Sequence, residues 1–298
     1  MSLLFPMTLL VVTACGSDEQ TEQAEPVQVQ AAAEDEPEIE HRLITATSAL
    51  TDIFAELDLE LVGMPDTSYE IPERYKDLPT IGNPMDPDEE KIKVLKPTEV
   101  FSVSSLELDL EEPFAAYGIN ARFVNLQSID SMLSEITAIG ADYDREQEAA
   151  ALVNRISSEI EALAASVEGK KKPKVLILFG VPGSYLVASE NSYIGDLVKK
   201  AGGENIVTGA DQPEYLASNT EYLHQSNPDI ILRLSHGMPE KVVKMFDEEF
   251  AQNDIWKHFN AVKNDRVYDL DEPVHGTTAN LHVTRALEIL IDIIQQED

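Results

Sequence analysis

Glu221-Tyr-Leu-His-Gln-Ser-Asn-Pro228-Asp-Ile-Ile-Leu-Arg-Leu echoes a stretch far upstream, Glu90-Lys-Ile-Lys-Val-Leu-Lys-Pro97-Thr-Glu-Val-Phe-Ser-Val. Each runs from a Glu through a short helical segment to a Pro seven residues on, then into an apolar strand. The spacing is far longer than the roughly 20–50 residues of a solenoid unit. It predicts two α/β lobes of similar design with a ligand cleft between them.

Working outward, short apolar strand candidates alternate with helical stretches in both halves. Leu43-Ile-Thr-Ala, Glu99–Val103 and Ala121–Leu126 read as strands, and Thr51–Leu57 and Glu89–Leu95 as helices. The Pro- and Gly-rich stretch from Gly63 to Pro87 reads as long binding loops. Between Asp144 and Glu168 there is neither Gly nor Pro, and Ala149, Leu152, Val153, Ile156, Ile160 and Leu163 recur at helical spacing. At about 1.5 Å per residue such a helix spans roughly 40 Å, enough to cross a lobe. A second series follows: strands at Val175–Phe179, Asp229–Leu234 and Arg266–Leu270, with helices at Tyr193–Ala201 and Asn280–Gln295. The expected fold class is α/β: two lobes with mostly parallel central sheets joined by one long α-helix. The expected segments are an N-terminal lobe over 42–142, a linking helix over 143–169 and a C-terminal lobe over 170–298.

The 298-residue chain carries a formal charge of -33. Nucleic acid and anionic membrane surfaces both require clustered Lys and Arg, so neither is an expected partner. One cysteine, Cys15, rules out an intramolecular disulfide and a Cys-rich metal site. It ends the apolar run Leu9-Leu-Val-Val-Thr-Ala-Cys15, which resembles a bacterial lipobox and is too short to span a bilayer of roughly 30 Å. The expectation is a signal peptide over 1–14 and a lipid on Cys15, although no Lys or Arg precedes the cysteine as a signal n-region requires. The stretch over 15–41 is acidic and rich in Gln, Ala and Glu, the composition of a disordered tether.

In α/β sheets ligands bind beyond the carboxyl ends of the strands. The repeat therefore orients each lobe. Met85, in Ile81-Gly-Asn-Pro-Met85-Asp-Pro, precedes the helix near Glu90; His236, in Ser235-His236-Gly-Met-Pro239, follows the strand Ile230–Leu234. A thioether and an imidazole on facing edges can ligate heme iron from opposite sides. Each residue alone is weak: loop methionines mostly pack, loop histidines mostly face solvent, and Met238 is a rival thioether. Zinc held by His224, His236, His275 or His282 is a further possibility, but no two of them have zinc-motif spacing. An enzyme reading finds little: the Ser184 phrase has Pro182 where G-x-S-x-G needs Gly, and there is no phosphate loop or dinucleotide fingerprint.

Several phrases together resemble one family. They are Pro72-Glu-Arg-Tyr-Lys-Asp, Ile81-Gly-Asn-Pro-Met85, Lys174-Val-Leu-Ile-Leu-Phe-Gly-Val-Pro-Gly-Ser-Tyr-Leu-Val-Ala, Ser192-Tyr-Ile-Gly-Asp-Leu-Val-Lys, Ile230-Ile-Leu-Arg-Leu-Ser-His236-Gly-Met-Pro-Glu and Asn253-Asp-Ile-Trp-Lys-His-Phe. From about Arg42 onward the chain is similar to the IsdE-type heme-receptor lipoproteins of the Gram-positive iron-regulated surface determinant system. The resemblance implies a bilobal, helix-linked binding protein that is not an enzyme. Its iron ligands fall on Met85 and His236, and Cys15 anchors it outside the cytoplasmic membrane. It implies heme as cargo, an upstream surface heme-transfer protein as donor, an ABC permease as acceptor, and a monomer. A siderophore or cobalamin receptor would use the same fold without these ligands. Expected heme contacts are Ser68, Tyr69, Val181, Pro182, Gly183, Ser184 and Tyr185, with Arg74, Lys76 and Arg233 as further propionate donors. The loop at Val181–Tyr185 also reads as a tight strand-to-helix turn. Glu90 and Glu221 are the expected permease-docking residues, and each also suits a helix N-terminus, Ser218-Asn-Thr-Glu221 being a capping box. Pro273-Val-His275 departs from the family's pattern and adds an imidazole near the C-terminus.

Overall fold

The computed structural model describes residues 41–218, 223 and 225–296. Cys15, the acidic stretch, Glu221 and His224 lie outside the described residues.

The N-terminal lobe runs β1 (Leu43–Thr45), α1 (Ser48–Glu56), β2 (Leu61–Gly63), the hairpin β3 (Gly82–Asn83) and β4 (Asp86–Pro87), α2 (Glu89–Leu95), β5 (Glu99–Val103), α3 (Glu107–Tyr117), β6 (Ala121–Val124) and α4 (Ile129–Asp142). Its main sheet has the order β2-β1-β5-β6, and every pairing is parallel. The helices start where side chains accept free backbone N–H groups: Thr47 caps α1, Asp88 caps α2 and Ser128 caps α4. Helices α3 and α4 were not among the sequence expectations. Pro113 lies inside α3, a residue that ordinarily breaks helices, and the helix's apolar residues barely segregate to one side.

Helix α5 (Glu146–Ser166) follows and leads to the C-terminal lobe. That lobe comprises β7 (Lys174–Val181), β8 (Ser184–Ala188), α6 (Tyr193–Lys200), β9 (Glu204–Asn205), β10 (Tyr215–Ala217), β11 (Ile230–Ser235), α7 (Pro239–Gln252), α8 (Asn260–Lys263), β12 (Val267–Leu270), α9 (Glu272–His275) and α10 (Val283–Ile294). The sheet order is β10-β8-β7-β11-β12, with β9 beside the start of β7. Strands β7, β11 and β12 are parallel, β8 runs antiparallel to β7, and β10 runs antiparallel to β8. The α/β class with mostly parallel sheets is as expected. The Pro182-Gly183 turn, however, leads from strand to strand rather than into a helix. Pro182 fixes one φ and Gly183 supplies a φ of 91°, which suits a reversal of two residues.

One apolar cluster runs through both lobes. It begins with Leu43, Phe54 and Phe101, passes through Ile129, Met132, Leu152 and Ile156, and reaches Ile177, Phe179, Leu197 and Leu290. Helix α5 buries Ala149, Leu152, Ile156 and Ile160 in it. Polar ties reinforce the joint: Gln127 Nε2 donates to Glu214 Oε1 at 2.6 Å, the Ile129 amide to Asp196 at 3.0 Å and the Ala279 amide to the Leu126 carbonyl at 2.8 Å.

The outer face of the C-terminal sheet packs Leu176, Leu178 and Ile231 against Val242, Phe246 and Trp256. Helix α7 lies so close that a Cβ on Gly180 would sit 2.5 Å from Val242 Cγ1 and 2.6 Å from Phe246 Cε2. Gly180→Ala is therefore expected to lower unfolding free energy by about 1–3 kcal/mol, measured by urea denaturation.

Candidate functional site

His236 is set by the central strand of its lobe. Its backbone amide donates to the Gly180 carbonyl at 2.8 Å, extending the pairing of β11 with β7 past Ser235. Its ring lies 5.6 Å from that of Phe179 at 28°, and Phe179 in turn packs on Tyr215 at 4.7 Å. Nδ1 is buried against Glu272 Oε1, while the side chain as a whole remains 37% exposed. The exposed part of the ring is thus the part that carries Nε2.

Glu272 opens α9, beyond the carboxyl end of β12, and its side chain is only 7% exposed. The Gly237 amide donates to Glu272 Oε1 at 3.2 Å. Burial opposes the ionised form, but His236, Gly237 and Tyr69 outweigh it and hold Glu272 below the ordinary glutamate range. For Tyr69 the same neighbourhood works the other way: burial, then Glu272 and Asp271, push its hydroxyl well above the usual range. Sequence reasoning missed Glu272. Its position just after a buried strand, at the same edge as His236, was the available signal.

Met85 sits at the tip of the β3–β4 hairpin, 64% exposed, with its amide donating to Asn83 Oδ1 at 2.8 Å. The helix after it does not begin at once, because β4 and the cap Asp88 intervene. Met238 is also exposed, in a left-handed conformation at φ 57°, with its sulfur 3.2 Å from Lys241 Nζ.

Tyr69 and Ser68 are exposed on the segment after β2. That segment is anchored by the Met64 amide to Pro79, the Ile81 amide to Met64, and the Tyr75 hydroxyl to the Leu59 carbonyl. Thr67 Oγ1 accepts from Ser48 Oγ at 3.0 Å and from the Tyr69 amide at 3.1 Å. Beside it a narrow crevice is lined by Ser48, Asp52, Met64, Thr67 and Glu70. Burial pushes Asp52 from an ordinary 3.8 up to about 6, against the attraction of His282 on the other lobe.

Pro182, Gly183 and Ser184 form an exposed turn at the carboxyl end of β7, and Val181 is half-buried beside it. Tyr185 is not brought to this set. Its hydroxyl donates to Glu249 Oε1 at 3.2 Å, and its ring packs 5.8 Å from Phe246 on the opposite face of the sheet.

The expected propionate cations are engaged with carboxylates. Arg233 is engaged through Nε with Asp269 Oδ1 at 2.7 Å and through Nη1 with Asp247 Oδ1 at 3.0 Å, and its side chain is 9% exposed between Phe246 and Phe250. Arg74 spans Asp58 and Glu60 at 2.6 and 2.7 Å. Lys76 pairs with Glu73 within one turn. Each cation pairs with carboxylates of its own lobe. His275 is 1% exposed, its Nδ1 3.1 Å from the Asp271 carbonyl, so its ring does not line an open cleft. Among the described residues no group of three or more His, Cys, Asp or Glu is placed to hold a metal ion. Glu90 is exposed in the first turn of α2.

The chain matches the family model described as periplasmic binding protein over residues 43–274. It belongs to that family. This binding protein is 49% identical over 261 residues to the high-affinity heme uptake system protein IsdE of Staphylococcus aureus strain Newman, covering 87% of this chain and 88% of the relative. Among solved structures it is similar to S. aureus IsdE complexed with heme, with a TM-score of 0.83 and 48% identity over 86% of this chain and 100% of the other. An ABC transporter substrate-binding protein from Listeria monocytogenes EGD-e gives a TM-score of 0.81 and 53% identity over 86% of this chain and 99% of the other.

The half-buried carboxyl of Asp52 yields a pH prediction for this binding protein. A carboxyl whose folded-state pKa lies above its unfolded value withdraws stability as pH rises through that interval. Asp52→Asn should match the parent protein near pH 4 and exceed it by about 1–2 kcal/mol near pH 7.5, after allowance for solvent screening. Urea denaturation at the two pH values measures the difference, and equal stability at both would contradict it.

Proposed function

We propose that this protein is the heme receptor of an ABC uptake system, binding iron-protoporphyrin between its lobes with Met85 and His236 as axial ligands. It is a binding protein rather than an enzyme. The observation that carries the ligand reading is His236, fixed by the buried Glu272 with its Nε2 edge exposed, in a chain 49% identical to a heme uptake protein. A carboxylate on the far nitrogen holds a ligating imidazole in one orientation and raises its basicity. The thioether of Met85, from the other lobe, would take the opposite face of the iron, and a Met/His pair favours the reduced state relative to two imidazoles.

Phe179 and Tyr215 supply an aromatic wall beside His236. Tyr69, Ser68, Val181 and the Pro182–Ser184 turn would meet the porphyrin edge. With Arg74 and Arg233 consumed by carboxylates, propionates would depend on hydroxyls and backbone amides of these turns. Tyr185 would act from behind, steadying the turn through Glu249. Exposed Glu90, with Glu221 on the other lobe, would dock the permease through its basic side chains. A lipid on Cys15 would keep the receptor at the extracellular face of the cytoplasmic membrane, where an upstream surface protein delivers heme.

Titration of the purified protein with hemin tests this reading. The expected outcome is a saturable Soret change that is altered in both Met85→Ala and His236→Ala. Unaltered spectra in both variants would refute the ligand pair, and free-hemin absorbance from the parent protein would refute heme binding. A siderophore or cobalamin receptor would give that last result.

A further inference from the structure

We infer that Met85 is a site of reversible oxidation, its thioether taking an oxygen atom from a small uncharged peroxide and thereby losing its capacity to ligate iron. The consequence for iron rests on the proposed heme ligation; the modification itself does not. Oxidation of a thioether follows the access of an oxidant to sulfur. Among the five described methionines that access divides sharply. Met64 and Met132 are 3% and 0% exposed, and Met245 is half-buried against the outer apolar cluster. Of the five, Met85 and Met238 are exposed, at 64% and 59%. Met238 is guarded in a second way: Lys241 Nζ donates to its sulfur at 3.2 Å and occupies a lone pair that an oxidant needs. Among the described residues no donor engages the sulfur of Met85, whose hairpin tip is held through its backbone amide, on Asn83 Oδ1.

In the step itself the sulfur attacks one peroxide oxygen. An S–O bond forms, the O–O bond breaks and the second oxygen leaves as water, the thioether being oxidised by two electrons. The formal charge of -33 disfavours anionic oxidants and leaves an uncharged peroxide unhindered. The sulfoxide is polar, and its sulfur has given up electron density that a soft metal bond draws on. Reduction by two thiols, through a sulfoxide reductase, returns the thioether with a disulfide and water as products. An exposed hairpin tip is open to such a reductase.

The experiment treats the unloaded full chain with a limiting amount of hydrogen peroxide, quantifies oxygen addition at each methionine by peptide mass spectrometry, and then titrates with hemin. Met85 is expected to gain oxygen about tenfold faster than Met64 or Met132 and about twofold faster than Met238. Lys241→Gln is expected to narrow the gap between Met238 and Met85. The same treatment of Met238→Leu lets the spectral change be read from Met85 alone. That oxidised protein is expected to give the hemin spectrum of Met85→Ala, and sulfoxide reductases with a dithiol are expected to restore the parent spectrum. Equal rates at Met85 and the buried methionines, or oxidation of Met238 ahead of Met85, would overturn the site while leaving the ligand reading intact. A parent-like hemin spectrum from protein oxidised at Met85 would overturn the consequence for iron if Met85→Ala alters that spectrum. If Met85→Ala leaves it unaltered too, Met85 fails as a ligand as well.

Discussion

The architecture depends on one continuous apolar mass shared by both sheets. Helix α5 is its spine: Leu152 and Ile156 belong to the same buried cluster as Phe101 of one lobe and Ile177 of the other. Apolar burial contributes about 25 cal/mol per Å², so separating the lobes along this spine would expose surface that folding has just removed from water. The Gln127–Glu214 and Ala279–Leu126 hydrogen bonds add directional ties to a non-directional attraction.

Under the proposed ligation the two lobes contribute unlike supports. The C-terminal lobe offers an imidazole on the central strand of a buried parallel sheet, backed by Phe179 and held by Glu272. The N-terminal lobe offers a thioether on a hairpin with a ladder of two residue pairs. The arginines expected to face an anionic cargo are paired: Arg233 lies in register with Asp269 across β11 and β12, and Arg74 bridges two carboxylates of its own lobe.

Much of this was legible in the sequence because it rests on local periodicity. The two Glu-to-Pro phrases located β5 and β11 and the helix before β5, and the run without Gly or Pro located α5. Helix α4 carried the same kind of signal in Ile129, Met132, Ile136 and Ile139 but was passed over. The fate of Arg233 was not legible, since its partners stand 14 and 36 residues away and are neighbours only through sheet order and helix packing. The same holds for Glu272, whose partners His236 and Gly237 lie at the end of a different strand. Long-range polar pairing depends on topology, which periodicity alone does not reveal.

The contrast between the supports of Met85 and His236 has a mechanical consequence. One is an anvil and the other a spring: the imidazole is braced by strand, ring and carboxylate, whereas the methionine rides on a reversal that bends at little expense. Under the proposed ligation any misfit of the porphyrin is absorbed on the sulfur side. The thioether is also the softer bond, so it is the one that yields first when a neighbouring protein draws on the ligand. Cargo would then leave the receptor as a histidine-held intermediate, still seated on the stiffer lobe and open on the other face.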